Sequence, residues 1–232
     1  MATEQERLAK IQSTYKTIRR SVPAHVTIVL ACKKRHPDEV RAVIEAGATD
    51  LGQNYVQEAE SIIEALGDQA AGARWHMIGP LQKNKINKAL RLFDVVQTVS
   101  SPKQAREIQK RAAVMGKLLS VCIEVNIGAE SAKSGVTPER DDVVALAREI
   151  APMENLRLEG LMTMGPFFED PEAIRPYFRK TREIFDHIRS LGEPGTDLSV
   201  LSMGMSDSYE VAIEEGSTMV RLGTIVFGPR PA

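Results

Sequence analysis

Eight short apolar runs alternate along the chain with helix-length amphipathic stretches, a pattern that leaves few folds open. The runs fall at residues 26–32, 50–51, 75–78, 93–96, 118–125, 156–161, 198–201 and 219–222. The first, Val-Thr-Ile-Val-Leu-Ala-Cys, is β-branched and apolar throughout, as expected of a parallel strand covered on both faces. Helical periodicity fills the gaps at 37–46, 56–66, 83–92, 102–115, 138–150, 171–191 and 206–215, several opening with proline at a first helical position. Ahead of the first run, Leu8, Ile11, Tyr15 and Ile18 stand three and four apart and make one face of an opening helix over 4–20. The pattern predicts an α/β protein: a single (β/α)8 TIM-type barrel with an extra N-terminal helix. The weakest strand is Asp50-Leu51, and an open doubly wound sheet is the alternative. A barrel of this kind uses about 200–250 residues, so one domain over 1–232 is expected.

The 30 basic and 31 acidic residues nearly cancel, so no global field draws the chain to nucleic acid or to a membrane surface. Its start, MATEQERLAK, is polar, and no segment reaches the ~20 apolar residues of a span. Cys32 and Cys122 sit in apolar runs without metal-ligand spacing, and a chain of this size needs no disulfide. These features predict a cytoplasmic protein in a reducing compartment, with neither metal nor nucleic-acid partner.

Barrel chemistry sits at the C-terminal ends of the strands, so the residues just after each run are the informative ones. They are Lys33-Lys34, Gly52-Gln53-Asn54, Gly79-Pro80, Thr98-Val99-Ser100, Asn126, Met162-Thr163, Ser202 to Ser206, and Gly223-Thr224 following Arg221. No carboxylate pair or histidine cluster is among them, and the set suits an anionic ligand carrying a carbonyl. A lysine closing an apolar strand is partly desolvated, which favours the neutral amine and permits a Schiff base with an aldehyde; a rim lysine with its stem packed is the structural alternative. Phosphate sites in barrels are frequently built after the last two strands. Here those loops offer Ser202, Ser206, Gly223 and Thr224, and Ser206 or Asp207 is positioned to cap the helix that follows. His76, inside an apolar run, reads as a hydrogen-bonded core residue. Met162, Met164, Met203 and Met205 read as packing around the mouth. Lys83, Lys85 and Lys88 read as a solvated face.

Several segments resemble those of the pyridoxal phosphate homeostasis proteins, whose fold is similar to the barrel domain of alanine racemase. They are Leu30-Ala-Cys-Lys33, Gly52-Gln-Asn-Tyr-Val-Gln-Glu58, Trp75-His-Met-Ile-Gly-Pro-Leu-Gln-Lys-Asn-Lys85, Val125-Asn126 with Lys133-Ser-Gly-Val136, Gly160-Leu-Met-Thr-Met164, Leu201-Ser-Met-Gly-Met-Ser-Asp207 and Gly216-Ser-Thr-Met-Val-Arg-Leu-Gly-Thr224. Two positions depart from the family pattern. Cys32 stands where serine or threonine usually precedes the cofactor lysine, with Pro37 four residues after Lys33 rather than three; Gln53 stands where glutamate is usual. Counting back from Gly47 and Gly52 selects Lys33, counting from Pro37 selects Lys34, and Lys33 is preferred because it follows the strand directly.

The resemblance implies pyridoxal 5′-phosphate as cofactor. Lys33 would form the internal aldimine, Ser206, Gly223 and Thr224 would hold the phosphate with Ser202 nearby, Arg221 would face the pyridine nitrogen, and Asn54 would complete the site. It implies a carrier with no catalytic residues, which regulates the free cofactor and passes it to pyridoxal-phosphate-dependent enzymes. Only four residues follow Gly228, so no second domain supplying a base is expected, and a monomer is expected. The alternatives are an amino-acid racemase using the same lysine and a barrel for another phosphorylated metabolite.

Overall fold

The computed structural model describes residues 3–130 and 134–229. It opens with α1 (Glu4–Ser21), whose first turn is closed by a capping box: the Thr3 hydroxyl accepts from the Glu6 N–H, and the Glu6 carboxylate accepts from the Thr3 N–H. Ile11, Tyr15 and Ile18 form its buried face, as the spacing predicts. Eight strands follow: β1 (Thr27–Ala31), β2 (Asp50–Gln53), β3 (Arg74–Met77), β4 (Val95–Val99), β5 (Leu119–Val125), β6 (Leu156–Thr163), β7 (Thr196–Ser202) and β8 (Met219–Leu222). All pair in parallel and in sequence order, and β8 returns to β1 to close the barrel. The helices α2 (Pro37–Glu45), α3 (Val56–Leu66), α4 (Ile86–Leu92), α5 (Pro102–Met115), α6 (Arg140–Ile150), α7 (Arg175–Ser190) and α8 (Tyr209–Glu214) come after β1 to β7 in turn. A last short helix, α9 (Thr224–Phe227), follows β8. Even the weakest predicted strand is genuine, because Asp50 and Leu51 pair with β1 on one side and β3 on the other.

Apolar burial falls into two unequal clusters. The larger lies between the outer strand faces and the helices, and includes Leu30, Leu51, Phe93, Ile108 and Phe185. The smaller, Val29, Ile78 and Met219 with Ala31 and Val200 against it, lies inside the barrel. Much of the remaining interior is polar. Arg74 of β3 reaches Glu159 of β6 through two contacts of 2.9 and 3.0 Å, and Ser120 of β5 donates to the same carboxylate. β3 and β6 are not neighbours in the sheet, so this pair bridges the lumen.

Several predicted boundaries shift by a few residues. Thr98 and Thr163, expected just beyond their strands, belong to β4 and β6, where their hydroxyls donate to the carbonyls of Gly79 and Val125. Gln53 likewise belongs to β2. The sixth helix starts at Arg140 rather than at Pro138.

Candidate functional site

At the C-terminal mouth, Ala31, Met205, Ser206, Asp207, Arg221, Gly223, Thr224 and Ile225 line a cavity of about 470 Å³. Four of the predicted site residues, Ser206, Arg221, Gly223 and Thr224, therefore share one wall. Ser202 is buried behind it, bonded to Arg221.

The expectation that Ser206 or Asp207 caps the following helix is overturned: α8 is preceded by Ser208, which makes no side-chain cap. Ser206 instead reaches into the next loop, where its Oγ accepts from the N–H groups of Gly223 at 3.1 Å and Ile225 at 3.3 Å. The backbone permits this because Gly204, at φ +94°, turns the chain where a Cβ would lie 2.5 Å from the Ala212 methyl. Two converging amides and a hydroxyl at the start of α9 are the donors a phosphate monoester takes. Ser206→Ala is expected to cost about 1 kcal/mol of stability by uncapping those amides, read from denaturant unfolding.

Arg221 is 4% exposed. One terminal nitrogen donates to the Ser202 carbonyl at 2.9 Å and to its Oγ at 2.8 Å, and the other donates to the Thr163 carbonyl at 2.8 Å. A guanidinium has five N–H donors, so two are left without a protein partner among the described residues, in a side chain that lines the cavity. Burial pushes its pKa down to about 10, partly countered by Glu124 and Cys122, which leaves it a cation at neutral pH.

Lys33 lies two residues beyond Ala31, half-buried, with its Nζ 4.9 Å from the centre of the Tyr55 ring. Lys34 is exposed and left-handed at φ 58°, its N–H donated to the Glu58 carboxylate. The neighbouring Arg35 clamps this loop to the end of α9, donating to the carbonyls of Phe227, Gly228 and Pro229. Gln53 is fully buried beneath the loop, its amide nitrogen on the Cys32 carbonyl at 3.1 Å and its Oε1 without a partner among the described residues. Asn54 stands at the mouth, but it is not brought to the cavity wall: its backbone lies against Gly79, and its side chain has no hydrogen bond among the described residues. Lys133, part of one family-like segment, lies outside the described residues.

One carboxyl escaped the sequence reading. Glu124, inside the apolar fifth run, is buried on the mouth side of β5 and accepts from the Ser134 hydroxyl at 2.9 Å. It lines a neighbouring cavity of about 310 Å³ with Thr98 and Ser100. The available signal was its two-residue alternation with Ser120 and Cys122. Burial raises its pKa, outweighing the lowering by Ser134 and Arg221. The folded state thus holds this proton more tightly than the unfolded chain, a contribution fully present below the unfolded value of about 4.3 and lost as pH rises through the folded value. Glu124→Gln is therefore expected to gain stability over the parent progressively as pH rises above about 4.3, checked by denaturant midpoints across a pH series.

A model of the alanine racemase N-terminal domain matches residues 7–231. The pyridoxal phosphate homeostasis protein of Aquifex aeolicus is 42% identical over 200 residues, covering 86% of this chain and 85% of the relative. The protein of the same name from Pseudomonas aeruginosa is 37% identical over 237 residues, covering 99% and 97%. Among solved structures, PipY of Synechococcus elongatus with pyridoxal phosphate bound aligns with a TM-score of 0.85 at 27% identity, over 94% of this chain and 100% of that one. Matched almost end to end by relatives of this name, the chain belongs to the pyridoxal phosphate homeostasis protein family, on the fold of the alanine racemase N-terminal domain.

Proposed function

We propose that the chain binds pyridoxal 5′-phosphate at the barrel mouth, holds it on Lys33, and serves as a reserve for enzymes that require it without turning over a substrate. The observation that carries this reading is the convergence of Ser206 with the Gly223 and Ile225 amides beside a buried arginine with two donors unpartnered among the described residues. The cofactor supplies an aldehyde that condenses reversibly with a primary amine, losing water. Ser206, Thr224 and the two amides would take its phosphate. Arg221 would face its ring nitrogen, and because a guanidinium stays charged it disfavours a proton there, leaving a weak electron sink. That electronic setting suits storage, although racemases work with such a ring too, and the storage reading agrees with the name that the family relatives carry.

In this reading the protein acts as a monomer in the cytoplasm. Both cysteines are buried, and burial pushes their thiols up to about 12, so they stay un-ionised and unreactive. No helix among the described residues is long and apolar enough to cross a membrane.

The deciding experiment is an absorption spectrum with added pyridoxal phosphate, then borohydride reduction and peptide mass mapping. A visible band and a single label on Lys33 are expected. A label on Lys34 moves the attachment point, and no label at all overturns the reading in favour of another phosphorylated ligand. Alanine α-hydrogen exchange in heavy water is expected to stay slow; fast exchange that disappears without Lys33 would make the protein a racemase.

A further inference from the structure

A line of side chains runs through the barrel from its N-terminal end to the mouth, and every proton in it points the same way. Arg221 of β8 donates to Ser202 Oγ at 2.8 Å. Ser202 donates across the lumen to Gln97 Oε1 of β4 at 2.8 Å. The Gln97 amide nitrogen lies 3.0 Å from His76 Nδ1, and His76 Nε2 lies 3.0 Å from Asp50 Oδ1 at the start of β2. Asp50 also accepts from Thr49 at 2.7 Å. Burial raises the Asp50 pKa, but the His76 and Thr49 hydrogen bonds outweigh it and hold the group below the usual range, as a carboxylate. A carboxylate can only accept, so His76 carries its proton on Nε2 and accepts the Gln97 amide at Nδ1. Gln97 then has one orientation that satisfies both neighbours, and so does the Ser202 hydroxyl.

We propose that this chain is a positioning device for the cofactor arginine, with His76, Gln97 and Asp50 fixing which way the Arg221 donors point into the mouth. The inference rests on the pyridoxal phosphate reading of the site. With its own proton committed to Gln97, the Ser202 hydroxyl keeps its lone pairs for the guanidinium. If Gln97 were reversed, the amide would become the donor to Ser202, and the Ser202 proton would lose the acceptor that holds it away from Arg221. The other charged groups in reach are Glu124 beside Arg221 and Arg74 beside Asp50, and neither is a link in the line.

The test has an arm without cofactor and an arm with it. In the cofactor-free protein, nitrogen NMR should show His76 as the Nε2–H tautomer alone, and Asp50→Ala, which removes the acceptor at Nε2, should give mixed tautomers. With pyridoxal phosphate, Gln97→Leu and Ser202→Ala should each weaken binding about tenfold, the scale of one hydrogen bond to a charged group, and shift the pH profile of the visible band. Ser202→Thr, which keeps the hydroxyl, should restore both. Two variants at different links guard against one failing to fold. A mixed His76 tautomer in the parent overturns the inference, as do unchanged affinity and pH profile in both variants. A single tautomer in a parent that binds no pyridoxal phosphate instead removes the function proposed above while leaving the hydrogen-bond line intact.

Discussion

Replacing Lys33 with alanine is expected to leave a folded protein that gains no visible band with pyridoxal phosphate and takes no label from borohydride, whereas Lys34→Ala should behave as the parent. The two lysines are adjacent, yet the chain presents them differently. Lys33 is half-buried two residues beyond Ala31, which lines the cavity, and its Nζ stands 4.9 Å from the centre of the Tyr55 ring. Lys34 is exposed, and the bond that fixes it comes from its backbone N–H. The Lys33 side chain has no hydrogen bond among the described residues, so its removal should change stability by no more than about 0.5 kcal/mol. A lost band with an unchanged unfolding midpoint separates attachment from folding. Retention of the band in Lys33→Ala would dismiss this lysine as the anchor.

Adding one methyl group at Gly160 should do far more damage to the fold. β6 and β7 approach so closely there that a Cβ would stand 1.6 Å from the Val200 carbonyl oxygen. That oxygen belongs to backbone and cannot swing aside as a side chain would. The register between the two strands already shifts between Leu158 and Gly160. Gly160→Ala is expected to cost more than about 4 kcal/mol, a large share of the 5–15 kcal/mol that holds a typical domain, and to yield mostly insoluble chain. Gly72→Ala is the matching control, because a Cβ there meets nothing within 4 Å. Solubility and urea midpoints read the comparison, and a soluble Gly160→Ala protein near parental stability would show that the strands can part.

The barrel was legible because its signal is repetitive and local. Each strand needs only a few β-branched or apolar residues, and each helix its three- and four-residue spacing, so Asp50-Leu51 was found even though it is short. The meeting of the last two loops was legible for the same reason: Ser206, Arg221, Gly223 and Thr224 lie at strand ends, and they share one cavity wall. What escaped depends on distance across the lumen. Gln97 and Ser202 are 105 residues apart and sit on opposite parts of the sheet, and nothing along the chain announces that they meet. Glu124 escaped because it sits within an apolar run, where its neighbours decide its environment. Local spacing points the Ser206 hydroxyl forward to the nearest helix, whereas the donors it serves come 17 and 19 residues later.

Two of the lumen-crossing contacts, Arg74 with Glu159 and Gln97 with Ser202, also bear on how such a barrel can assemble. Each joins a strand from the first half of the chain to one from the second. A half-barrel ending after β4 would leave the Gln97 carbonyl without the Ser202 hydroxyl, and a half-barrel starting at β5 would leave Glu159 without Arg74 and Ser202 without Gln97. A buried polar or charged group left without its partner costs about 1–3 kcal/mol or more, so each half lacks something that the other supplies. Closure and polar satisfaction arrive together, which makes folding of the lumen all-or-none even though the sheet is built from a repeating unit.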